Sequence, residues 1–511
     1  MHILKASVCY RLCDKLLEQI AKSMKASVCF YLLCLFYGGL LQIFRESLFG
    51  KLWIRLDKWI KQQPENSFFL RRFLHEAKVD SEKSFVGQAC QGVSGIFSSI
   101  YHASGLMQFF GSRLWMHPAF WAVTTVFLTP FVPTMIALAL VLFTSFALLL
   151  NKASKRQAFL INSSLNKPLL FFALLYILST IVSMGRGGSV QITAIILAFT
   201  LFALVLISAI TTRKQLDYLF FFFLLAGVLI AFLGLVQYLF GDLLVESSWV
   251  DDEMFDISRR VYATFENPNI LGAYFLLVIP FALAAFFAAK ERMLKLCALF
   301  ALAVMGLVLG LTFSRGAYLG IVFAFAVFFV LLDRRMIFLG IFALVVAYFV
   351  LPDAMLERFL SIGNMADTST SYRVSIWLGT IDIIRDHLIL GIGPGLSTWQ
   401  LIYPLYAHAA AVAHHSHMLF LQVLTELGLV GFFLFLLVIY HFYKNSFIAF
   451  IRATQTTKYW AMASMAAMTA FIVMGFTDYA LFNYRLRLLF WVLVAIGVLV
   501  WKLAEIEEVS A

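Results

Sequence analysis

The chain has 511 residues, of which 62% are hydrophobic and only 13% charged, with 54 Phe and a formal net charge of +11. Soluble domains carry about 25% charged residues, so a soluble multidomain protein is excluded. The basic excess lies mainly in short loops and the N-terminal segment without a nucleic-acid recognition motif, so membrane orientation explains it and nucleic acid is not an expected partner.

Taken in chain order, residues 1–118 form a basic region of mixed polarity, expected to be a cytoplasmic or interfacial extension. Lys5-Ala6-Ser7-Val8-Cys9 recurs as Lys25-Ala26-Ser27-Val28-Cys29, too short a repeat to signal a solenoid. Residues 27–44 are apolar, but both flanks carry Lys and Arg, so the charges do not orient a span there. Leu48, Phe49, Leu52, Trp53, Leu56, Trp59 and Ile60 then share one helical face, with Lys51, Lys58 and Lys61 opposite, as in a helix lying in the headgroup layer. Cys9, Cys13, Cys29, Cys34, Cys90 and Cys297 form no CxxC pair, so neither a zinc nor a dithiol site is signalled.

Residues 119–511 read as an all-α, polytopic membrane domain of about twelve transmembrane helices. Residues 119–150, broken by Pro130 and Pro133, read as a hairpin of two. Further runs centre on 168–184, 189–211, 216–240, 268–289, 293–313, 316–332, 336–351, 417–442, 459–478 and 487–503. If the runs alternate, the groups Lys152/Lys155/Arg156/Lys167, Arg213/Lys214, Lys290/Arg292/Lys295, Arg334/Arg335 and Lys444/Arg452/Lys458 all fall on one side, which is then cytoplasmic. Two longer loops, 241–267 and 352–416, fall on the external side.

Loop 241–267 holds the acidic cluster Asp251-Asp252-Glu253 with Asp256, either a solvated face or a cation site, and closes on Arg259-Arg260. Asn267-Pro268-Asn269 follows, a helix start in which proline suits the first turn. Arg315 lies between two apolar runs at the external boundary, as a snorkelling anchor or a ligand for an anion. In the second loop, Ser371–His387 reads as an amphipathic helix opened by Arg373, with Val374, Trp377, Ile381 and Ile384 on one face and Leu388 continuing it. Gly391-Ile392-Gly393-Pro394-Gly395 ends that helix in a tight turn.

Five of the ten histidines gather in this loop and at its end: His387, His408, His414, His415 and His417. Imidazole takes a proton from a hydroxyl nucleophile near neutral pH; an interfacial polar cap and a metal site are the other readings. Glu426, inside the next apolar run, implies a function or a buried partner.

Five motifs in order carry a family resemblance. Phe265-Glu266-Asn267-Pro268-Asn269-Ile270-Leu271-Gly272, Thr312-Phe313-Ser314-Arg315-Gly316-Ala317 and Tyr372-Arg373-Val374-Ser375-Ile376-Trp377 come first. Gly391–Gly395 and the stretch His417–Gly428 follow. Together they resemble the bacterial O-antigen ligase and polysaccharide polymerase superfamily, over roughly 168–503. The resemblance implies a metal-independent, cofactor-free glycosyltransferase of the helical membrane class. Its donor would be a glycan on undecaprenyl diphosphate, its acceptor a hydroxyl on a lipid, a glycan or sometimes a protein, its setting the external face of the bacterial inner membrane. His417 would take the place of the essential loop histidine, Arg373 that of the loop arginine, and Arg260 that of the arginine before the Asn-Pro motif. Arg315, Asn267, His415 and Trp377 are the candidates to bind substrate around them. Met418 departs from the family, which often has Asn there. The alternative functions are a polymerase of the same superfamily and a small-solute transporter, the latter requiring ligand groups at the membrane midplane.

Overall fold

A computed structural model describes residue 19 and residues 85–241, 260–361, 368–408 and 413–510, apart from 112, 114, 115, 162, 334, 351 and 454. The repeated Lys-Ala-Ser-Val-Cys motif, the apolar stretch 27–44, the interfacial helix over 48–60, the acidic cluster 251–256 and Arg259 lie outside the described residues. The chain divides into two units, Met1–Lys78 with Ala285–Leu299, and Val79–Ala284 with Phe300–Ala511. The loop between residues 350 and 419 and the helices over 315–332 and 353–510 all belong to the second.

Seventeen α-helices follow one another among the described residues, with no strand. They are α1 (Phe85–Ala103), α2 (Gly105–Gly111), α3 (Pro118–Leu128), α4 (Thr134–Ser154), α5 (Asn166–Val182), α6 (Arg186–Ala209), α7 (Arg213–Phe240), α8 (Pro268–Ala288) and α9 (Arg292–Leu311). Then come α10 (Arg315–Leu332), α11 (Met336–Val350), α12 (Asp353–Leu360), α13 (Thr368–Asp386), α14 (Leu396–Ile402), α15 (Leu419–Arg452), α16 (Gln455–Gly475) and α17 (Tyr484–Ser510).

Each of the twelve apolar runs is helical, but among the described residues only eight helices are long and apolar enough to cross a membrane: α4, α6, α7, α8, α9, α10, α15 and α17. The count of twelve is therefore not reached by length and composition. At about 1.5 Å per residue, α3 with 11 residues, α5 with 17 and α11 with 15 fall short of the ~30 Å hydrocarbon layer. The twenty-one-residue α16 has the length, but Gln455, Thr456, Thr457 and Lys458 dilute its apolar character.

The core runs along α17, which packs on α6, α15 and α16 and is buried over nearly all its apolar length. Such a helix is apolar all round and has no outward polar stripe. α10 packs closely on α16. A Cβ on Gly316 would stand 2.6 Å from Thr477 Oγ1, and one on Gly320 2.9 Å from the Ala470 carbonyl oxygen. Glycines four apart let two backbones meet where no hydrophobic force drives helices together in lipid. This contact sets Arg315, first residue of α10, beside the turn that follows α16.

The loop between α11 and α15 has its own small core of Ile376, Ile383, Ile392, Trp399, Ile402, Tyr403 and Ala413. The buried stripe of α13 is thus Ile376, Gly379, Thr380 and Ile383, not the expected Val374, Trp377, Ile381 and Ile384. Ile381 and Leu388 are exposed. The reason is Gly379, whose missing side chain admits the Tyr406 carbonyl: a Cβ there would lie 2.5 Å from that oxygen. Backbone packing, rather than the widest apolar arc, orients the helix.

The loop docks into a break in α15. Gly428 has φ 64° and ψ −168°, outside helical geometry. The break frees the carbonyls of Thr425 and Glu426 and the N–H of Leu429, and the loop satisfies all three. Ile392 N–H donates to Thr425 O at 2.8 Å, Gly393 N–H to Glu426 O at 3.2 Å, and Leu429 N–H to Leu388 O at 2.7 Å. Ser179 Oγ adds a 2.9 Å bond to Glu426 O. Gly391, Gly393 and Gly395 all have positive φ, which glycine adopts without strain.

Candidate active site

Four segments converge on one cavity of about 430 Å³, its walls including Arg260, Arg315, Arg358, Arg373, His417 and Asp478. All lie at the ends of helices or in connections that the loop charges assign to one side. Of the residues singled out from sequence, Arg260, Asn267, Arg315, Arg373, His415 and His417 line the cavity. Trp377 does not; it sits further along α13, its indole Nε1 enclosed without a hydrogen-bond partner. His408 pairs with Asp382 at 2.9 Å on the exposed surface, and His414 is exposed.

Asn267 caps α8. Its Oδ1 accepts the N–H of Asn269 at 2.8 Å and of Ile270 at 3.4 Å, which satisfies donors that a helix start leaves open. Asn269 Oδ1 in turn accepts from Arg260 at 3.0 Å. Arg260 Nε donates to Thr312 O at 2.9 Å. Phe313, at φ 49°, turns the chain between α9 and α10, and its carbonyl accepts from Arg358 Nε at 3.4 Å. Arg315 is buried and spans from α10 to the loop, donating to Ser361 O and Oγ at 3.3 Å and to Ser369 Oγ at 3.2 Å.

His417 faces Asp478. Its Nδ1 lies 3.6 Å from Asp478 Oδ1, ion-pair range but longer than a hydrogen bond, and it has no hydrogen-bond partner as placed. Arg373 approaches the other carboxylate oxygen at 3.9 Å. The N–H of Tyr479 donates to Asp478 Oδ1 at 2.8 Å. Burial alone would raise the Asp478 carboxyl, but the neighbouring His417 and the Arg373 charge outweigh it and hold Asp478 well below the ordinary carboxylate range.

His415 braces His417. The rings are 4.2 Å apart, and His417 N–H donates to His415 Nδ1 at 3.2 Å. His415 also stacks on Phe482 at 4.5 Å. Burial first, then the charge of His417, pushes His415 down to about 3, so its imidazole is neutral and its Nδ1 is an acceptor.

Behind the histidines runs a hydrogen-bonded chain. Ser416 N–H donates to Gln422 Oε1 at 2.8 Å, and Gln422 Nε2 donates to Glu426 Oε1 at 3.0 Å. Glu426 therefore reaches the histidine turn through Gln422. Ser416 Oγ bonds Met418 O at 2.9 Å and accepts Met418 N–H at 3.4 Å, so a hydroxyl closes the turn at Met418.

The cavity thus carries four guanidinium groups and one carboxylate. Burial, then the like charges of Arg358 and Arg373, push the Arg260 guanidinium below its ordinary range, the direction expected where anions are in short supply. Among the described residues no group of three His, Cys, Asp or Glu side chains is placed to hold a metal. Sequence reasoning missed Arg358 and Asp478. Asp478 had a signal: it is the single acidic residue between Gln455 and Ala504, at the end of an apolar run. Arg358 had none beyond its loop.

These features define a multi-pass helical membrane protein with a cationic, histidine-bearing site at one end of its bundle. Residues 300–436 match the family model described as O-Antigen ligase, so this stretch, which includes Arg315, Arg358, Arg373, His415 and His417, is similar to that family. No curated protein matches the chain.

Proposed function

We propose that this site transfers a glycan from undecaprenyl diphosphate to an acceptor hydroxyl at the external face of the bacterial inner membrane, as an O-antigen ligase does. The observation that carries the reading is the pairing of one histidine–carboxylate couple with four arginines in one cavity. The acceptor oxygen attacks the anomeric carbon, the bond from that carbon to the diphosphate oxygen breaks, and the diphosphate leaves with the electron pair. The carboxylate beside Nδ1 favours the tautomer protonated there, leaving Nε2 to take the acceptor proton. Arg373, Arg260, Arg315 and Arg358 stabilise the charge that grows on the departing diphosphate. No step needs a metal.

The polymerase reading differs only in acceptor, a glycan chain in place of a lipid. Transport is disfavoured because the cavity opens among helix ends and loops rather than at broken helices near the midplane. The test is reconstitution with a lipid-diphosphate-linked glycan. The wild type should consume donor, release undecaprenyl diphosphate and glycosylate one acceptor class, and it should move no small solute. Solute flux that survives His417→Ala, with no glycan transfer by the wild type, would overturn the reading.

A further inference from the structure

At the other end of the bundle a second cavity, of about 930 Å³, opens between the C-terminal part of α6, the start of α7 and the ends of α15 and α17. Its walls are apolar, from Ile207, Leu216, Leu499 and Leu503 among others. Its polar groups are Thr211, Thr212, Arg452, Lys502 and Glu505. Lys502 is the anomaly. Its Nζ is enclosed and makes no hydrogen bond. An enclosed ammonium without a hydrogen bond is costly, and such groups call for an explanation. The nearby acids do not supply one. Glu507 is taken by Arg213 at 2.5 Å and by Thr457 at 2.6 Å. Glu505 stands three residues along the same helix, lines the same cavity and attracts Lys502 by its charge, yet gives the Nζ no hydrogen bond. The start of α7 adds to the positive field, because helix N-termini favour anions.

We propose that this cavity holds an anionic phospholipid, its phosphate beside Lys502 and its acyl chains along the apolar walls. Charge complementarity selects the headgroup. Apolar walls beneath a cationic rim fit an amphiphile better than a free ion, and basic pockets between membrane helices are the usual seats of anionic lipids. A volume of this size is in the range of ordinary ligand pockets. The site is separate from the glycan-transfer cavity, and no residue is shared between the two.

The test uses delipidated full-length protein in neutral detergent, read by native mass spectrometry and by thermal unfolding. Phosphatidylglycerol should bind and raise the melting temperature, whereas phosphatidylcholine should not. Lys502→Gln should weaken phosphatidylglycerol binding by about fivefold, the factor expected for one basic residue at an anionic headgroup. Lys502→Arg should retain the preference. Equal retention of both lipids by the wild type, full binding by Lys502→Gln, or equal stabilisation by inorganic phosphate alone would each overturn the proposal. The lipid preference of the wild type decides the matter even if Lys502→Gln does not fold. Glycan transfer is not read, so the outcome leaves the proposed function untouched.

Discussion

At His417 two demands meet in one residue. Its backbone holds φ 50°, a left-handed conformation uncommon outside glycine, and its imidazole faces Asp478. His417→Ala should lower glycan transfer about 10²–10⁴-fold, the usual worth of general acid–base assistance, with little change in melting temperature. Asp478→Asn should also lower turnover, because it removes the carboxylate that favours the working tautomer; turnover equal to wild type would exclude that role. His415 makes a different prediction. Its imidazole titrates at about 3 in the folded protein against an ordinary value near 6.5. Between those values the unfolded chain binds a proton that the folded chain does not, so stability falls as pH drops through this window. Asp478 has a depressed carboxyl, so its contribution is intact above the ordinary value near 3.9 and lost only below it. Asp478 therefore does not account for the interval from about 4 to 6.5, to which His415 contributes. His415→Phe, which keeps the ring on Phe482, should flatten thermal stability across that interval; a slope identical to wild type would show that His415 is not buried neutral.

Among the elements, α15 does the most to organise the site, through its break at Gly428 and the chain from Glu426 through Gln422 to Ser416. A Cβ on Gly428 would stand 2.2 Å from Ile389 O, besides the strain of a positive φ. Gly428→Ala should detach the loop and expose it to limited proteolysis, whereas Gly306→Ala, with nothing within 4 Å, should leave the cleavage pattern unchanged. Gln422→Leu should lower turnover less than His417→Ala, because it loosens the histidine turn without removing the base. How much of this was legible in the sequence depends on the kind of signal. Apolar runs, loop charges and the Asn267-Pro268 cap are local, so the helices and their order could be read directly. The face that α13 buries depends on Tyr406 approaching Gly379, a contact between residues distant along the chain, and the reading missed it. The loop glycines and Gly428 were visible as separate motifs, but nothing local shows that one is the receptor of the other. Asp478 and Arg358 join the site only through the contact of α10 with α16 and the return of α12, which no periodicity encodes.

For the molecule as a whole, the basic loops and the glycan-transfer cavity should lie on opposite sides of the membrane. With the native cysteines replaced, a cysteine introduced at Ser369 should react with an impermeant thiol reagent in intact cells, and cysteines at Ser154 and Thr456 should not. The reverse pattern would invert the orientation. Chelation of divalent metal should change transfer little; reversible loss of activity on chelation would refute the proposed mechanism. The join between the loop and α15 also bears on how inactive alleles are interpreted. In a screen for lost surface glycan, changes at Gly391, Gly393 or Gly428 would score alongside changes at His417, and a map of intolerant positions would run as a seam from the outer turn into the bilayer. Protein abundance separates the two classes: seam alleles lose protein, whereas His417 alleles accumulate as inert enzyme.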